Sequence, residues 1–136
     1  MAQVAKYLLD AGLPWIGGVV FLDDLDRKMV LLRSSSGSAH KVIKLSQCGL
    51  PKDRLFSFYD QVHTTGMDIK QFYTARAALT LGKDMTFRDF AQGAYRMRGI
   101  GQGQTLTLLI IPEVVKLIQL EVACGAGVGS GLRSIR

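Results

Sequence analysis

Residues 105–111, Thr-Leu-Thr-Leu-Leu-Ile-Ile, run into Pro112 and decide the fold class. The run is short, apolar and rich in branched residues, which suits a buried strand. Pro112 then opens a helix reaching to about Cys124, because a first-turn proline gives up only a donor the helix leaves unused. Upstream, residues 77–81 (Ala-Ala-Leu-Thr-Leu) form a second β-like run that stops at Gly82. Between the two lie residues 86–98, which have helical spacing. Strand, helix, strand, helix in that order predicts parallel pairing and an α/β class.

The helix over 86–98 carries the most chemistry. Thr86 caps it, and Asp89 three residues later completes a capping box and complements the positive helix start. Phe87, Phe90, Ala91 and Ala94 make the expected buried stripe. Arg88, Gln92 and Arg96 recur every four residues on another side, with Tyr95 beside them. Gly99 is placed to end the helix in a left-handed conformation, with Arg98 leaving from the last turn. Arginines near a glutamine can clamp a phosphate in fork geometry. The plain alternative is a solvated arginine face on an amphipathic helix.

The first half reads differently. Residues 3–11 have helical spacing with Val4, Leu8 and Ala11 on one side, and Gly12 and Pro14 stop them. Residues 17–22 suit a strand buried on both faces, residues 23–26 a turn, and residues 28–33 a returning strand, giving an antiparallel N-terminal hairpin. Residues 34–38 are a serine-rich loop, and residues 41–45 alternate like an edge strand. Residues 55–62 read as a strand leading into the polar loop His63-Thr64-Thr65-Gly66-Met67-Asp68. Loops at the carboxyl ends of parallel strands are where open α/β sheets hold ligands. Gly66 allows close backbone approach, and Asp68 can accept from a sugar hydroxyl. His63 can serve as base, switch or packing residue.

In this order the pieces resemble the second RecA-like domain of superfamily 2 helicases. That family has an R-G-x-D loop, where this chain has Thr65-Gly66-Met67-Asp68. Its Q-R-x-G-R-x-G-R helix corresponds to Gln92-Gly93-Ala94-Tyr95-Arg96-Met97-Arg98-Gly99. Gln92 and Arg96 match, Gly93 and Gly99 stand where the family has arginines, and Arg98 sits one place before the last arginine. The resemblance implies γ-phosphate and arginine-finger roles for Gln92 and Arg96, and extends the finger role to Arg98. Gly66 and Asp68 would be nucleotide-binding.

Residues 21–33, 59–70 and 78–104 also resemble the C-terminal ATPase-like region of a family of very large eukaryotic proteins labelled ubiquitin thioesterases (ubiquitinyl hydrolases). That label implies a thiol protease of the ubiquitin-conjugation pathway. Cys48 and His63 are the nearby candidates for nucleophile and base, although no deubiquitinase cysteine motif surrounds Cys48.

Composition bounds these readings. The chain has 136 residues, enough for one domain with a real core. The expected organisation is a single RecA-like α/β domain over 1–124, with a mostly parallel sheet flanked by helices, and a flexible glycine-rich tail over 125–136. The net charge is +6. Residues 1–68 hold 8 basic and 7 acidic groups and residues 69–136 hold 9 and 4, so the excess sits in the second half. Such a half suits anionic partners, nucleic acid among them, or is simply a solvated basic surface. No apolar run is long enough for a membrane helix, and Asp10 interrupts the N-terminal stretch as a secretory signal. The two cysteines, Cys48 and Cys124, form no C-x-x-C pair, so no metal site is expected. Free thiols fit an intracellular compartment, cytoplasmic or nuclear.

No phosphate-binding G-x-x-x-x-G-K-[ST] loop occurs. The expectation is therefore half of a nucleotide site. ATP and Mg²⁺ would bind only with a missing first RecA-like lobe, supplied by a partner or a parent protein. The chain alone needs no cofactor on this reading. The alternatives are thiol-dependent hydrolysis with ubiquitin as partner, and a non-catalytic basic interaction domain.

Overall fold

The computed structural model describes residues 2–11, 14–34, 40–60 and 67–126. They form a small α/β fold. Helix α1 (Ala2–Asp10) precedes strands β1 (Gly18–Leu22), β2 (Lys28–Leu32), β3 (Lys41–Lys44) and β4 (Leu55–Ser57). Then come β5 (Arg76–Leu81), helix α2 (Phe87–Ala94), β6 (Thr105–Ile110) and helix α3 (Pro112–Gly125). Short 3-10 turns occupy Leu45–Gln47 and Lys52–Arg54.

The expected N-terminal hairpin is present. β1 pairs antiparallel with β2, Gly18 opposite Leu32 and Leu22 opposite Lys28. Asp23 closes its turn by accepting from the Leu25 and Arg27 amides and from the Arg27 side chain. The strand order is β3-β2-β1-β4, which puts β3 at the edge, as its alternation predicts. β4 is parallel to β1. This sheet is therefore mixed, and the expectation of a mostly parallel sheet is corrected: two of its three pairings are antiparallel. The physical reason is connection length, since short turns join β1 to β2 whereas a parallel return needs a dozen or more residues. The second half does pair as expected, β5 parallel to β6 with Arg76 opposite Thr105 and Leu81 opposite Ile110.

The core lies mainly around β1, whose five residues are all buried. Val19 and Phe21 face α1, packing with Ala5, Leu9, Ile16 and Leu31. Val20 points the other way, to Val30 and Ile69. The continuous apolar run is thus explained by a sheet covered on both sides. Helix α1 buries Ala5 and Leu9, while Val4 is exposed, so its inward face is one residue round from the expected Val4, Leu8, Ala11 line. Arg33 ties this helix down: its Nε donates to the Ile16 carbonyl (3.0 Å) and Nη2 to the Leu9 carbonyl (2.8 Å), satisfying an end-of-helix acceptor. His40 Nε2 sits 2.9 Å from Asp10 Oδ1 on the same helix.

Two elements are shorter than the sequence spacing predicts. β4 stops at Ser57, and residues 61–62 of the expected strand lie outside the described residues. Helix α2 stops at Ala94, followed by turns, with Tyr95 as its C-cap. Gly99 is not its left-handed terminator; positive φ falls at Gly101 and Gly103. α3 ends at Gly125, and residues 127–136 of the expected tail are outside the described set.

Candidate functional site

The site is built where α2 unwinds beside the segment around Asp68. Thr86 and Asp89 start the helix with the expected capping box. The Thr86 amide donates to Asp89 Oδ2 (2.9 Å), and the Asp89 amide donates to Thr86 Oγ1 (3.3 Å). The Thr86 hydroxyl, donating to Asp89 Oδ2 at 2.6 Å, and then the Thr86 amide hold the Asp89 carboxyl below its usual value, against opposition from desolvation. The buried stripe is narrower than expected. Ala94 is buried, Phe90 and Ala91 are half-buried, but Phe87 is 82% exposed and stacks loosely on Phe90 at 6.1 Å. The helix approaches β5 through Gly93: a Cβ there would lie 2.9 Å from Leu79 Cδ1. Glycine at 93 therefore admits a close helix–strand contact.

Asp68 is fixed by its two neighbours. The Tyr59 hydroxyl accepts from the Ile69 amide at 2.9 Å. Arg96 donates through Nη1 to the Met67 carbonyl, and its guanidinium lies over the Tyr59 ring, 5.9 Å from the centroid. Met67 and Ile69 are thus gripped on either side, and Ile69 itself is buried. Burial pushes the Tyr59 phenol above its usual value, while the Ile69 amide and Arg96 pull the other way. Asp68 remains exposed, and its Oδ1 is 3.6 Å from Arg98 Nε. Both side chains are solvated, so the pair itself adds little stability.

Arg88, Gln92, Arg96 and Arg98 share one open hollow of about 410 Å³, with Phe87 and Tyr95 on its wall. The sequence therefore picked out residues that the fold brings together: Gln92, Arg96 and Arg98, with Asp68 paired to the last. Tyr95 and Phe87 are exposed beside them. His63 and Gly66 lie outside the described residues.

Gln104 was not singled out by sequence. It is buried, and it bridges two loops: its Oε1 accepts from the Gly99 amide (2.7 Å) and its Nε2 donates to the Phe72 carbonyl (2.8 Å). This clamp fixes the turn that carries Arg98. The signal available in the sequence was only a glutamine among glycines. Gly103, at φ 113°, brings the backbone within about 3.0 Å of the Tyr73 carbonyl for any added Cβ, which demands glycine.

Cys48 is half-buried and packs against the Val20, Val30 and Ile69 cluster. It lines a cavity of about 500 Å³ with Lys28, Lys52, Lys70 and Ser57. The described histidine, His40, is engaged with Asp10 on α1. Among the described residues no group of His, Cys, Asp and Glu could hold a metal ion, and no helix is long and apolar enough to cross a membrane. No family model, curated protein or solved structure matches the chain.

Proposed function

We propose that this chain acts as the second RecA-like lobe of a two-lobe nucleotide site, completed by a first lobe on a partner or a parent protein. The observation that supports this reading is the shared hollow of Arg88, Gln92, Arg96 and Arg98, with Asp68 3.6 Å from Arg98 and positioned through the grips on Met67 and Ile69. Three guanidinium groups in one exposed concavity suit an anion brought from outside. The chain has no phosphate-binding lysine loop of its own, so the triphosphate and its Mg²⁺ would arrive with the other lobe.

Within this reading the two arginines divide the work. Arg96 is half-buried and spends a donor on the Met67 carbonyl, which positions the Asp68 segment. Arg98 is 63% exposed and is the one able to swing towards a ligand, exchanging a weak carboxylate pair for a phosphate. Gln92, one turn before Arg96, would orient the attacking water or the terminal phosphate. The link to the ubiquitin thioesterase-labelled family rests on the strings that carry the resemblance. Among the described residues no geometry around Cys48 supports the thiol-hydrolase reading, and its candidate base His63 lies outside them.

The test mixes or fuses the chain with a RecA-like first lobe that carries the phosphate loop, and measures ATP turnover. Arg98→Ala is expected to reduce turnover by about 10³-fold or more, the scale of arginine-finger contributions, with the melting curve unchanged. Arg96→Ala should lower turnover and stability together. If both variants keep turnover within about twofold, the hollow is not a nucleotide site and is a solvated helix face.

A further inference from the structure

The largest feature that the nucleotide reading leaves unused is the outer edge of β6 with the helix that follows. The small sheet has the order β5-β6, so the far side of β6 faces no strand among the described residues. Natural monomers guard such an edge with charge, proline, a bulge or a short strand. β6 has none of these. Its six residues, Thr-Leu-Thr-Leu-Leu-Ile, hold no charge and no proline, and pair with β5 in unbroken register. Leu108, Leu109 and Ile110 are exposed on it, and Ile111 follows them. In α3 only Val114 is buried, while Leu117, Ile118, Leu120 and Val122 are exposed. A helix apolar on so many sides is normally buried. Among the described residues, nine of the eighteen exposed large hydrophobic residues fall within positions 108–122, so the uncovered apolar surface is concentrated, not scattered.

We infer that β6 pairs with β6 of a second copy of this chain across a two-fold axis, giving a four-stranded β5-β6-β6-β5 sheet. Three observations favour a second copy as the occupant. First, the edge is self-complementary: an antiparallel mate centred on Leu108 sets Leu108 against its own copy, Thr107 against Leu109 and Leu106 against Ile110, burying no charge on either side. Second, this is where association meets least repulsion. The chain carries +6, yet residues 105–126 hold one lysine and two glutamates. Third, there is surface to cover. Positions 108–122 hold nine exposed large hydrophobic residues in one stretch of chain, against a standard interface of roughly 800 Å² per partner. The pairing leaves the Arg98 hollow free and does not depend on the nucleotide reading.

Sedimentation or light scattering of the full chain, from micromolar to submillimolar concentration, should show a species of twice 14.9 kDa that dissociates on dilution. The outward-facing β6 amides should gain hydrogen-exchange protection as the dimer forms. Leu109→Lys should return the chain to a monomer with its far-ultraviolet circular dichroism unchanged. A monomer throughout that range overturns the inference and leaves the face to a different protein. A dimer whose β6 amides exchange as fast as in the monomer also overturns it, because another surface would then be responsible. The exchange measurement uses the unaltered chain, so it decides the matter even if the lysine variant fails to fold.

Discussion

Tyr59 shows how one side chain can set a site it does not enter. Its hydroxyl holds the Ile69 amide and its ring lies under Arg96, so Asp68 is placed by contacts on both flanks. The raised phenol pKa has a stability consequence. A folded value above the usual 10.0 means the folded state keeps its proton longer than the unfolded chain does. The stabilisation is therefore complete below pH 10.0 and declines as pH rises through the folded value. Tyr59→Phe should lower stability at neutral pH by about 1 kcal/mol, for the lost acceptor, and should flatten the decline above pH 10.0. Urea midpoints measured across that range would check it; parallel curves for the two proteins would show that Tyr59 is not the titrating group. None of this was legible in the sequence, where Tyr59 was one residue of an expected strand. Gln92 and Arg96 were legible because they recur at helical spacing, whereas Asp68 stood out in a glycine-containing polar loop and Arg98 beside the glycine after the helix. Gln104 was hidden, because a clamp between residues 72 and 99 is a long-range contact that no local pattern encodes.

The element whose start was read best is α2. A threonine followed three residues later by an aspartate states its own reason for beginning a helix, and the capping box forms as that pattern requires. Its end was misjudged by four residues, because residues 95–98 keep a helical distribution of side chains while the backbone turns to reach Gln104. The misassigned Phe87 has the same origin: periodicity specifies a face, but only tertiary packing decides how far along it the cover extends. Helix α2 is short, so its cap matters. Thr86→Ala should cost about 1 kcal/mol in thermal or chemical unfolding. The Asp89 carboxyl is held below its usual 3.8, so its contribution is present above that pH and is lost as pH falls through the folded value. In the Thr86→Ala protein this acid-limb loss should shrink. An unchanged acid limb would mean that the carboxyl is held by something other than the cap.

Across the whole molecule, stability is spread unevenly. Val19, Val20 and Val30 are at most 1% exposed, whereas the β5-β6 half contributes only Ala94, Met97, Gln104 and Val114 to the buried set. Native-state hydrogen exchange of dilute protein should find the slowest amides in β1 and β2, at the global unfolding free energy, with β5, α2 and α3 opening at lower cost. Uniform protection across both sheets would contradict the uneven core. The α/β class was readable from the order of strand and helix signals, but the mixed sheet was not, since β4 joins β1 across an intervening hairpin and edge strand. That pairing has a kinetic side. The β1-β2 ladder closes a loop of a few residues, from Leu22 to Lys28, while β1 meets β4 only after Gly18 finds Leu55, and β5 meets β6 across the whole of α2. Loop closure grows costlier with separation, so topology ranks the hairpin as the earliest native contact and the parallel pairings as later ones. During synthesis, which proceeds from the N-terminus, the hairpin can settle while the arginine-bearing turn is still inside the ribosome, and the half that carries the hollow assembles onto a scaffold already in place.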